Sequence, residues 1–340
     1  MRLTKTTIAA GVLALFAAGH ADAAKLDEIR ARGELNCGIN TGLVGFAFTD
    51  DAGNWQGFDV DYCRAVAAAV FGDPDAVKYV NLTGKTRFPA LVSGEIDVLS
   101  RNTTWTFSRD VDLGLTFVGV NYYDGQGFIG RKSLGITSAT ELDGASVCIQ
   151  TGTTTELNLA DFMRANNLNY ESVPIETNEE ARSFYEAERC DVYTTDASGL
   201  AATRTTFPNP DDHMVFPEII SKEPLGPVVA QGDDQWADVA RWVLNALIIA
   251  EEMGVHSKNV IAMKNSDRAT PEVKRMLGVE GDYGAMLGLD KDWAVDVIRS
   301  VGNYGEIFER YLGMNTPIQL QRGLNAQYTD GGILYAPPLR

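Results

Sequence analysis

A loop crowded with hydroxyl groups is the first part of the sequence whose side chains could bind a small molecule. It covers residues 100–110, reads SRNTTWTFSRD, and brings Arg101, Asn102, Thr104 and Arg109 close together along the chain. A guanidinium can hold a carboxylate through two parallel hydrogen bonds, which fixes the orientation of the anion as well as adding binding energy. The loop therefore offers hydroxyls, an amide and guanidinium groups to one small anion.

A second segment carries a matching set of groups. Residues 151–155 follow a strand-like run, turn at Gly152, and lead with Thr154 into a predicted helix whose free N–H groups favour anions. Asp196 follows another strand-like run and could accept an ammonium group. Arginine, hydroxyls and one aspartate together complement a zwitterion. The alternatives are that the threonines only shape turns and that Asp196 only caps the helix after it.

These segments must be positioned by alternating strands and helices, which is typical of an α/β architecture. The predicted strands are Leu35–Ile39, Val77–Val80, Ile96–Ser100, Ser146–Gln150 and Asp191–Thr194. The predicted helices are Val60–Phe71 with Asp59 as its N-cap, Arg87–Ser93, Glu156–Asn166, a helix through Ala187 opened by Thr177, Gln235–Met253, Pro271–Leu277 and Trp293–Leu312. Because both halves repeat strand, turn, helix and strand, we expect two related lobes.

The first 24 residues are predicted to be a signal peptide. Arg2 and Lys5 precede an apolar run over residues 8–18, and Ala21-Asp22-Ala23 has the small-x-small pattern of a cleavage site. The pattern predicts export to the periplasm. The alternative is a buried N-terminal helix.

Composition excludes several classes of partner. The chain has 29 basic and 46 acidic residues, a formal net charge of −17 at pH 7, which disfavours binding to nucleic acid or anionic lipid. Only three histidines occur, and the cysteine spacings match no zinc motif, so neither a metal nor another cofactor is expected. We expect the protein to be a monomer.

Four cysteines follow the signal region, and an even number in an exported chain favours disulfides. Cys37 ends a strand-like run and Cys63 lies on the helix after it, whereas Cys148 and Cys190 both lie in strand-like runs of the middle segment. These contexts predict the pairs Cys37–Cys63 and Cys148–Cys190. The alternative is four free buried thiols.

The chain resembles the periplasmic solute-binding proteins of polar and general L-amino-acid ABC transporters, the bacterial extracellular solute-binding proteins of family 3. The matching landmarks are Gly57-Phe58-Asp59-Val60-Asp61, residues 88–98 (FPALVSGEIDV), Thr106–Arg109, Tyr122-Tyr123, Gly152-Thr153-Thr154 and residues 190–196 (CDVYTTD). The resemblance implies the type II fold, with two α/β lobes joined by two crossover strands. Lobe one would hold residues 25–125 and 226–340, with a helical C-terminal extension, and lobe two residues 126–225.

The same resemblance implies a role for each candidate site residue. Arg109 would hold the α-carboxylate of a ligand, Asn102 and Thr104 would add contacts, Thr154 and the Gly152 turn would reach across from lobe two, and Asp196 would take the α-ammonium. Phe46 would lie against the ligand side chain, and Arg87 and Arg101 would meet an acidic or amide side chain. The alternatives are a surface salt bridge for Arg109, a core position for Phe46, and solvent or same-lobe partners for Arg87 and Arg101.

The implied function is capture of free L-amino acids by hinge closure and delivery to ABC permease subunits in the inner membrane. We expect broad specificity with a preference for glutamate, glutamine, aspartate and asparagine, and no enzymatic activity. The alternatives are a periplasmic dehydratase on the same fold and a sensory amino-acid-binding protein.

Overall fold

The computed structural model describes residues 24–340, so the predicted signal peptide lies outside the described residues except for Ala24. The strands are β1 (Leu35–Asn40), β2 (Phe48–Thr49), β3 (Trp55–Gln56), β4 (Val77–Leu82), β5 (Val98–Leu99), β6 (Leu115–Phe117), β7 (Tyr122–Asp124), β8 (Gln126–Arg131), β9 (Ala145–Gln150), β10 (Tyr170–Ile175), β11 (Val192–Asp196), β12 (His213–Val215), β13 (Glu223–Leu225) and β14 (Val228–Ala230). The α-helices are α1 (Lys25–Arg32), α2 (Phe58–Phe71), α3 (Arg87–Val92), α4 (Phe107–Asp112), α5 (Thr154–Ala165), α6 (Asn178–Glu186), α7 (Ala197–Arg204), α8 (Asp234–Glu252), α9 (Val260–Lys264), α10 (Pro271–Met276), α11 (Tyr283–Met286), α12 (Trp293–Val301) and α13 (Tyr304–Tyr311).

Two five-stranded sheets organise the molecule. The first has the order β4-β1-β5-β14-β6, with β1 parallel to β4 and β5 and with β14 antiparallel to β5 and β6. The second has the order β10-β9-β11-β8-β12, with β9 parallel to β10 and β11 and with β8 antiparallel to β11 and β12. Their inner strands are almost fully buried, as expected for sheets covered by helices on both faces. The two-lobed α/β fold expected from the sequence is confirmed.

A separate pair of antiparallel strands, β7 and β13, joins the two sheets. Asp124 lies opposite Glu223, and Tyr122 lies opposite Leu225. The chain enters the second sheet directly after β7 and returns to the first directly after β13. We propose that the lobes divide at this pair, into residues 25–125 with 226–340 and residues 126–225.

The C-terminal third packs on the first lobe. The long helix α8 begins where the Asp233 side chain accepts a hydrogen bond from Trp236 N, and its apolar face is buried. The helix α12 packs against both α2 and α8. None of the helices within residues 24–340 has both the length and the apolar character needed to cross a membrane.

The single helix predicted over Trp293–Leu312 is wrong, because the chain forms two helices there. The residue that ends α12, Gly302, has a φ of +87°, which is outside the helical region. Asn303 then starts α13 with a complete capping box: its side chain accepts from Glu306 N, and the Glu306 carboxylate accepts from Asn303 N. The apolar residues therefore keep a helical spacing on both sides of Gly302, although the caps end one helix and start another there.

Each lobe contains one of the two predicted disulfides. Cys37–Cys63 links β1 to α2, and Cys148–Cys190 links β9 to the residues before β11. Both cysteine pairs are fully buried. The described residues contain no free cysteine.

Candidate functional site

A cavity lies between the two lobes, where several strands of both sheets end. Its lobe-one wall consists of Asn40, Leu43, Arg87, Arg101, Asn102 and Thr104. Its lobe-two wall consists of Gln150, Thr153, Thr154, Thr155, Asn178, Thr195, Asp196 and Gly199. Three of these residues, Asn40, Gln150 and Asp196, are the last residues of β1, β9 and β11. Ligand sites in open α/β sheets lie at such carboxyl ends, because the loops that leave the strands converge there.

The loop after β5 owes its shape to Asp59, which was wrongly predicted to cap α2. The helix begins two residues earlier, at Phe58 after Gly57, and the Asp59 carboxylate is buried in its first turn. That carboxylate accepts hydrogen bonds of 3.3 Å from Ser100 Oγ and from Asn102 N. Asn102 has a φ of +40°, a conformation that needs such support in a residue other than glycine. Burial raises the pKa of Asp59 to about 6.

Three buried arginines surround the lobe-one wall without an acidic partner. Arg87, Arg101 and Arg109 are 2%, 3% and 7% exposed. In the part of the chain that the structure describes, none of them has a carboxylate oxygen within 4.0 Å. Buried charges are normally paired, because desolvation of an isolated ion costs several kcal/mol. The cluster is therefore suited to an anion that comes from outside the chain.

The contacts of the arginines leave specific donors free. Arg101 Nε donates to the Leu82 carbonyl at 2.9 Å, whereas Arg101 Nη2 is buried without a hydrogen-bond partner. Arg87 Nη1 makes only long contacts of 3.4 Å, and Arg87 Nε has no partner. Burial, with a smaller contribution from the neighbouring arginines, lowers the pKa of Arg101 to about 10 and that of Arg87 well below its ordinary value.

Arg109 lies behind the cavity wall rather than in it. Arg109 Nη1 donates to the Thr104 carbonyl at 2.9 Å, and its guanidinium lies 5.1 Å from the centre of the Phe88 ring. Burial lowers the pKa of Arg109 to about 10, against the opposing charges of Glu223 and Asp196. Thr104 therefore lies between the Arg109 guanidinium and the space that a ligand would fill.

Asp196 supplies the negative charge of the opposite wall. It occupies the N-cap position of α7, but its side chain makes no capping hydrogen bond, so the alternative of a purely structural cap does not hold. Burial raises the pKa of Asp196 well above its ordinary value, and the nearby carboxylates of Asp124 and Glu223 raise it further. An ammonium group placed beside Asp196 would remove that penalty.

A buried glutamate on the connecting strand was missed by the sequence analysis. Glu223, which is 1% exposed, accepts hydrogen bonds from the hydroxyl of Thr104 in lobe one and from Thr154 Oγ1 of lobe two at 3.0 Å. Asn158 Nδ2 of lobe two and Ser221 Oγ each donate to its other oxygen at 2.7 Å. The segment around Glu223 contains no motif that could have singled it out.

The two lobes touch around the cavity. Thr104 Oγ1 and Thr154 Oγ1 are 3.3 Å apart, and Lys85 Nζ lies 3.3 Å from Glu176 Oε1. The chain of lobe one passes so close to lobe two at Gly84 that an added Cβ would lie 2.6 Å from the Thr151 carbonyl oxygen. The structure therefore represents a closed arrangement of the lobes.

The structure brings six of the nine predicted ligand-binding residues to the cavity wall: Arg87, Arg101, Asn102, Thr104, Thr154 and Asp196. Gly152 instead lies at the contact between the lobes, with a φ of +73°. The expectation that Phe46 lies against the ligand side chain is wrong. Phe46 is 1% exposed and packs in the lobe-one core, with its ring centre 5.6 Å from that of Tyr122. The loop after β1 presents Leu43 to the cavity in place of an aromatic ring.

Comparison with known proteins places the chain among binding proteins. The sequence model of the bacterial extracellular solute-binding proteins, family 3, matches residues 35–314. The chain is 58% identical to the general L-amino acid-binding periplasmic protein AapJ of Rhizobium johnstonii, over 100% of this chain and 99% of the relative. It is also 58% identical to the glutamate/glutamine/aspartate/asparagine-binding protein BztA of Rhodobacter capsulatus, over 96% of this chain and 97% of the relative.

A solved structure of similar sequence has the same fold. It is an ABC transporter periplasmic binding protein from Brucella ovis with glutathione bound, 57% identical in sequence, with a TM-score of 0.90. The match covers 94% of this chain and all of the Brucella chain.

Proposed function

The chain belongs to the bacterial extracellular solute-binding proteins, family 3, and we propose that it binds free L-amino acids in the cavity between its lobes. It is the periplasmic substrate-binding component of an amino-acid ABC importer, like the relatives that share 58% of its sequence. Those relatives are named as binding proteins and not as enzymes. The proposed ligands are glutamate, glutamine, aspartate and asparagine, with other L-amino acids bound more weakly.

One observation carries the proposal: buried arginines without acidic partners face the partly buried carboxylate of Asp196 across one cavity. A free amino acid has the complementary charges, because its carboxylate and ammonium groups are attached to the same carbon. Asp196 takes the ammonium. The α-carboxylate binds beside Thr104 and the hydroxyl of Thr154, where Arg109, which donates to the Thr104 carbonyl, supplies positive charge from behind the cavity wall.

The side chain of the ligand extends toward Arg87 and Arg101. Each of these arginines has a buried nitrogen without a hydrogen-bond partner. A side-chain carboxylate or amide oxygen can accept from those nitrogens, whereas an apolar side chain leaves them unpaired at a cost of about 1–3 kcal/mol each. This difference favours acidic and amide amino acids over apolar ones.

Binding and release proceed through hinge motion at β7 and β13. An amino acid first binds to lobe one, and lobe two then closes over it, which excludes water and strengthens the charge interactions. The ligand stabilises the closed form only by its greater affinity for that form. Permease subunits in the inner membrane then recognise the closed monomer.

Calorimetry on refolded, ligand-stripped protein tests the proposal. Single L-amino acids are titrated into the wild type and into Arg109→Ala. The proposal predicts binding of several amino acids, tightest for glutamate, glutamine, aspartate and asparagine, and loss of that binding in Arg109→Ala. Tight lysine binding without glutamate binding would contradict the proposed preference, and undiminished binding to Arg109→Ala would contradict the proposed carboxylate anchor.

A further inference from the structure

A second chamber adjoins the amino-acid cavity and is not needed for binding a free amino acid. Its cavity volume is about 330 Å³, and it is open to solvent. Its walls consist of Thr41, Gly42, Leu43, Val44, Phe48, Thr49 and Trp55 of lobe one and of Asn178, Glu179, Arg182, Thr203 and Thr206 of lobe two. Leu43 and Asn178 line both spaces, so the two spaces meet at these residues.

The junction between the spaces is formed by an apolar side chain and an amide. Leu43 of lobe one faces Gly199 of lobe two, where an added Cβ would lie 3.9 Å from Leu43 Cδ2. The Asn178 amide makes only two long contacts, from Nδ2 to Asn40 Oδ1 at 3.4 Å and from Tyr193 Oη to its Oδ1 at 3.5 Å. Because these contacts are at the limit of hydrogen bonding, the amide can instead pair with an amide of a ligand that passes through the junction.

The chamber wall also contains Arg182, which lies one helical turn beyond Asn178 and has a side chain that is 38% exposed. Arg182 Nε is buried and has no hydrogen-bond partner. The nearest carboxylate oxygen, Glu186 Oε2, is 3.9 Å from it, which is beyond hydrogen-bond distance. Phe48 and Trp55 contribute partly buried rings to the opposite wall. The chamber thus combines an apolar side with one partly exposed guanidinium, whose only ion pair among the described residues is the long one to Glu186.

We propose that the second chamber binds the side-chain extension of a γ-linked glutamyl peptide. The inference rests on the proposed function, since the α-carboxylate and α-ammonium of the glutamyl residue occupy the amino-acid cavity. The γ-carbonyl oxygen keeps the side-chain contact with Arg87 and Arg101, and the amide N–H continues past Leu43 and pairs with Asn178. The terminal carboxylate of the peptide reaches Arg182. An α-linked peptide lacks the free α-carboxylate that the first cavity requires, so it is excluded.

Calorimetry with three probes tests the assignment: L-glutamate, γ-L-glutamylglycine and α-L-glutamylglycine. We expect the wild type to bind the first two and not the third. Arg182→Gln should weaken the binding of γ-glutamylglycine by at least about tenfold, because a charge-assisted hydrogen bond is lost. The affinity for glutamate should not change. Thr206→Trp fills the chamber and has the same selective effect. Arg189→Gln, which changes an arginine of the same lobe outside the chamber, is the matched control and alters neither ligand.

The outcomes separate this inference from the function on which it rests. Binding of glutamate without γ-glutamylglycine would overturn the second chamber as a peptide site and leave the amino-acid cavity intact. Equal weakening of both ligands by Arg182→Gln or Thr206→Trp, or no weakening of either, would also overturn it. Failure of the wild type to bind any of the three probes would refute both proposals.

Discussion

Replacing Arg101 by methionine should leave the ligand-free protein at least as stable as the wild type. The same substitution should weaken ligand binding. Arg101 is 3% exposed and has no carboxylate within 4.0 Å among the described residues, and burial lowers its pKa from the ordinary arginine value to about 10. Methionine keeps an unbranched apolar stem of similar length and removes the charge. The same substitution therefore acts with opposite signs on folding and on binding.

The magnitude follows from the pKa of Arg101. The decrease from the ordinary arginine pKa to about 10, at 1.36 kcal/mol for each pKa unit, means that the charged form costs about 3 kcal/mol in the folded protein. Because the pKa is lowered on folding, this cost is fully present at neutral pH, where both states are protonated. The variant recovers it but leaves the Leu82 carbonyl without its donor, which costs about 1–3 kcal/mol. The free energy of unfolding should therefore rise by about 0–2 kcal/mol.

Binding responds in the other direction. Removing one partner of a buried ion pair costs about 2–5 kcal/mol, so the Kd for glutamate should rise by roughly 30-fold or more. Alanine has no side-chain carboxylate, so its affinity should change less than that of glutamate.

Urea unfolding of the ligand-stripped proteins and calorimetry with glutamate and alanine measure the two effects. Arg131→Met is the control: Arg131 Nη1 donates to the Tyr185 carbonyl at 2.9 Å, away from the cavity, so its loss should lower stability without changing glutamate affinity. The argument that Arg101 serves ligand binding at a cost to stability would be refuted by one result. In that result, the free energy of unfolding of the Arg101→Met protein would be lower by more than about 2 kcal/mol and its affinity for glutamate would be unchanged.

Three further predictions concern the opposite wall, the connecting strand and the lobe contact. Asp196→Asn should weaken amino-acid binding and abolish proton release on binding, which calorimetry in buffers of different ionisation enthalpy measures. In the wild type, affinity should fall as the pH decreases through the raised pKa of Asp196, because the ligand ammonium binds the ionised carboxylate. Glu223→Gln should lower affinity about tenfold and reduce the closed fraction seen by small-angle X-ray scattering, because the buried carboxylate accepts from both lobes. Gly84→Ala should increase the rate of ligand release in stopped-flow measurements, because its Cβ would lie 2.6 Å from the Thr151 carbonyl oxygen and oppose closure.

Each of these predictions has a control and a result that would contradict it. Asp161→Asn changes an exposed lobe-two carboxylate and should leave binding and proton release unchanged; proton release that persists in Asp196→Asn would show that another group titrates. An undiminished closed fraction in Glu223→Gln would limit that residue to local structure. Lys85→Ala, beside Gly84 but without the steric conflict, should release ligand more slowly than Gly84→Ala, and equal rates would argue against the proposed clash.

Local patterns in the sequence were sufficient to predict five of the ten strands in the two main sheets, β1, β4, β5, β9 and β11, and the helices α2, α5, α6 and α8. The strand predicted over Leu35–Ile39 is observed as Leu35–Asn40, and the helix predicted over Gln235–Met253 is observed as Asp234–Glu252. Apolar periodicity and terminal signals are properties of short segments, so they are readable without the rest of the chain. The break at Gly302 was missed because the apolar period continues on both sides of it, whereas the capping contacts of Asn303 depend on the fold of the turn.

The sequence by itself determined the chemistry available to the site: arginines and hydroxyls in the loop after β5, threonines at the start of α5, and Asp196 after β11. Tertiary structure alone decided which of these groups face one another. It placed Arg109 behind the wall and Phe46 in the core, and it brought Glu223 between the lobes. Packing within lobe one places Arg109 and Phe46. The position of Glu223 depends on the closure of two lobes whose contacting residues are separated by 50 or more positions, such as Thr104 with Thr154 and with Glu223, and no local pattern encodes such distances.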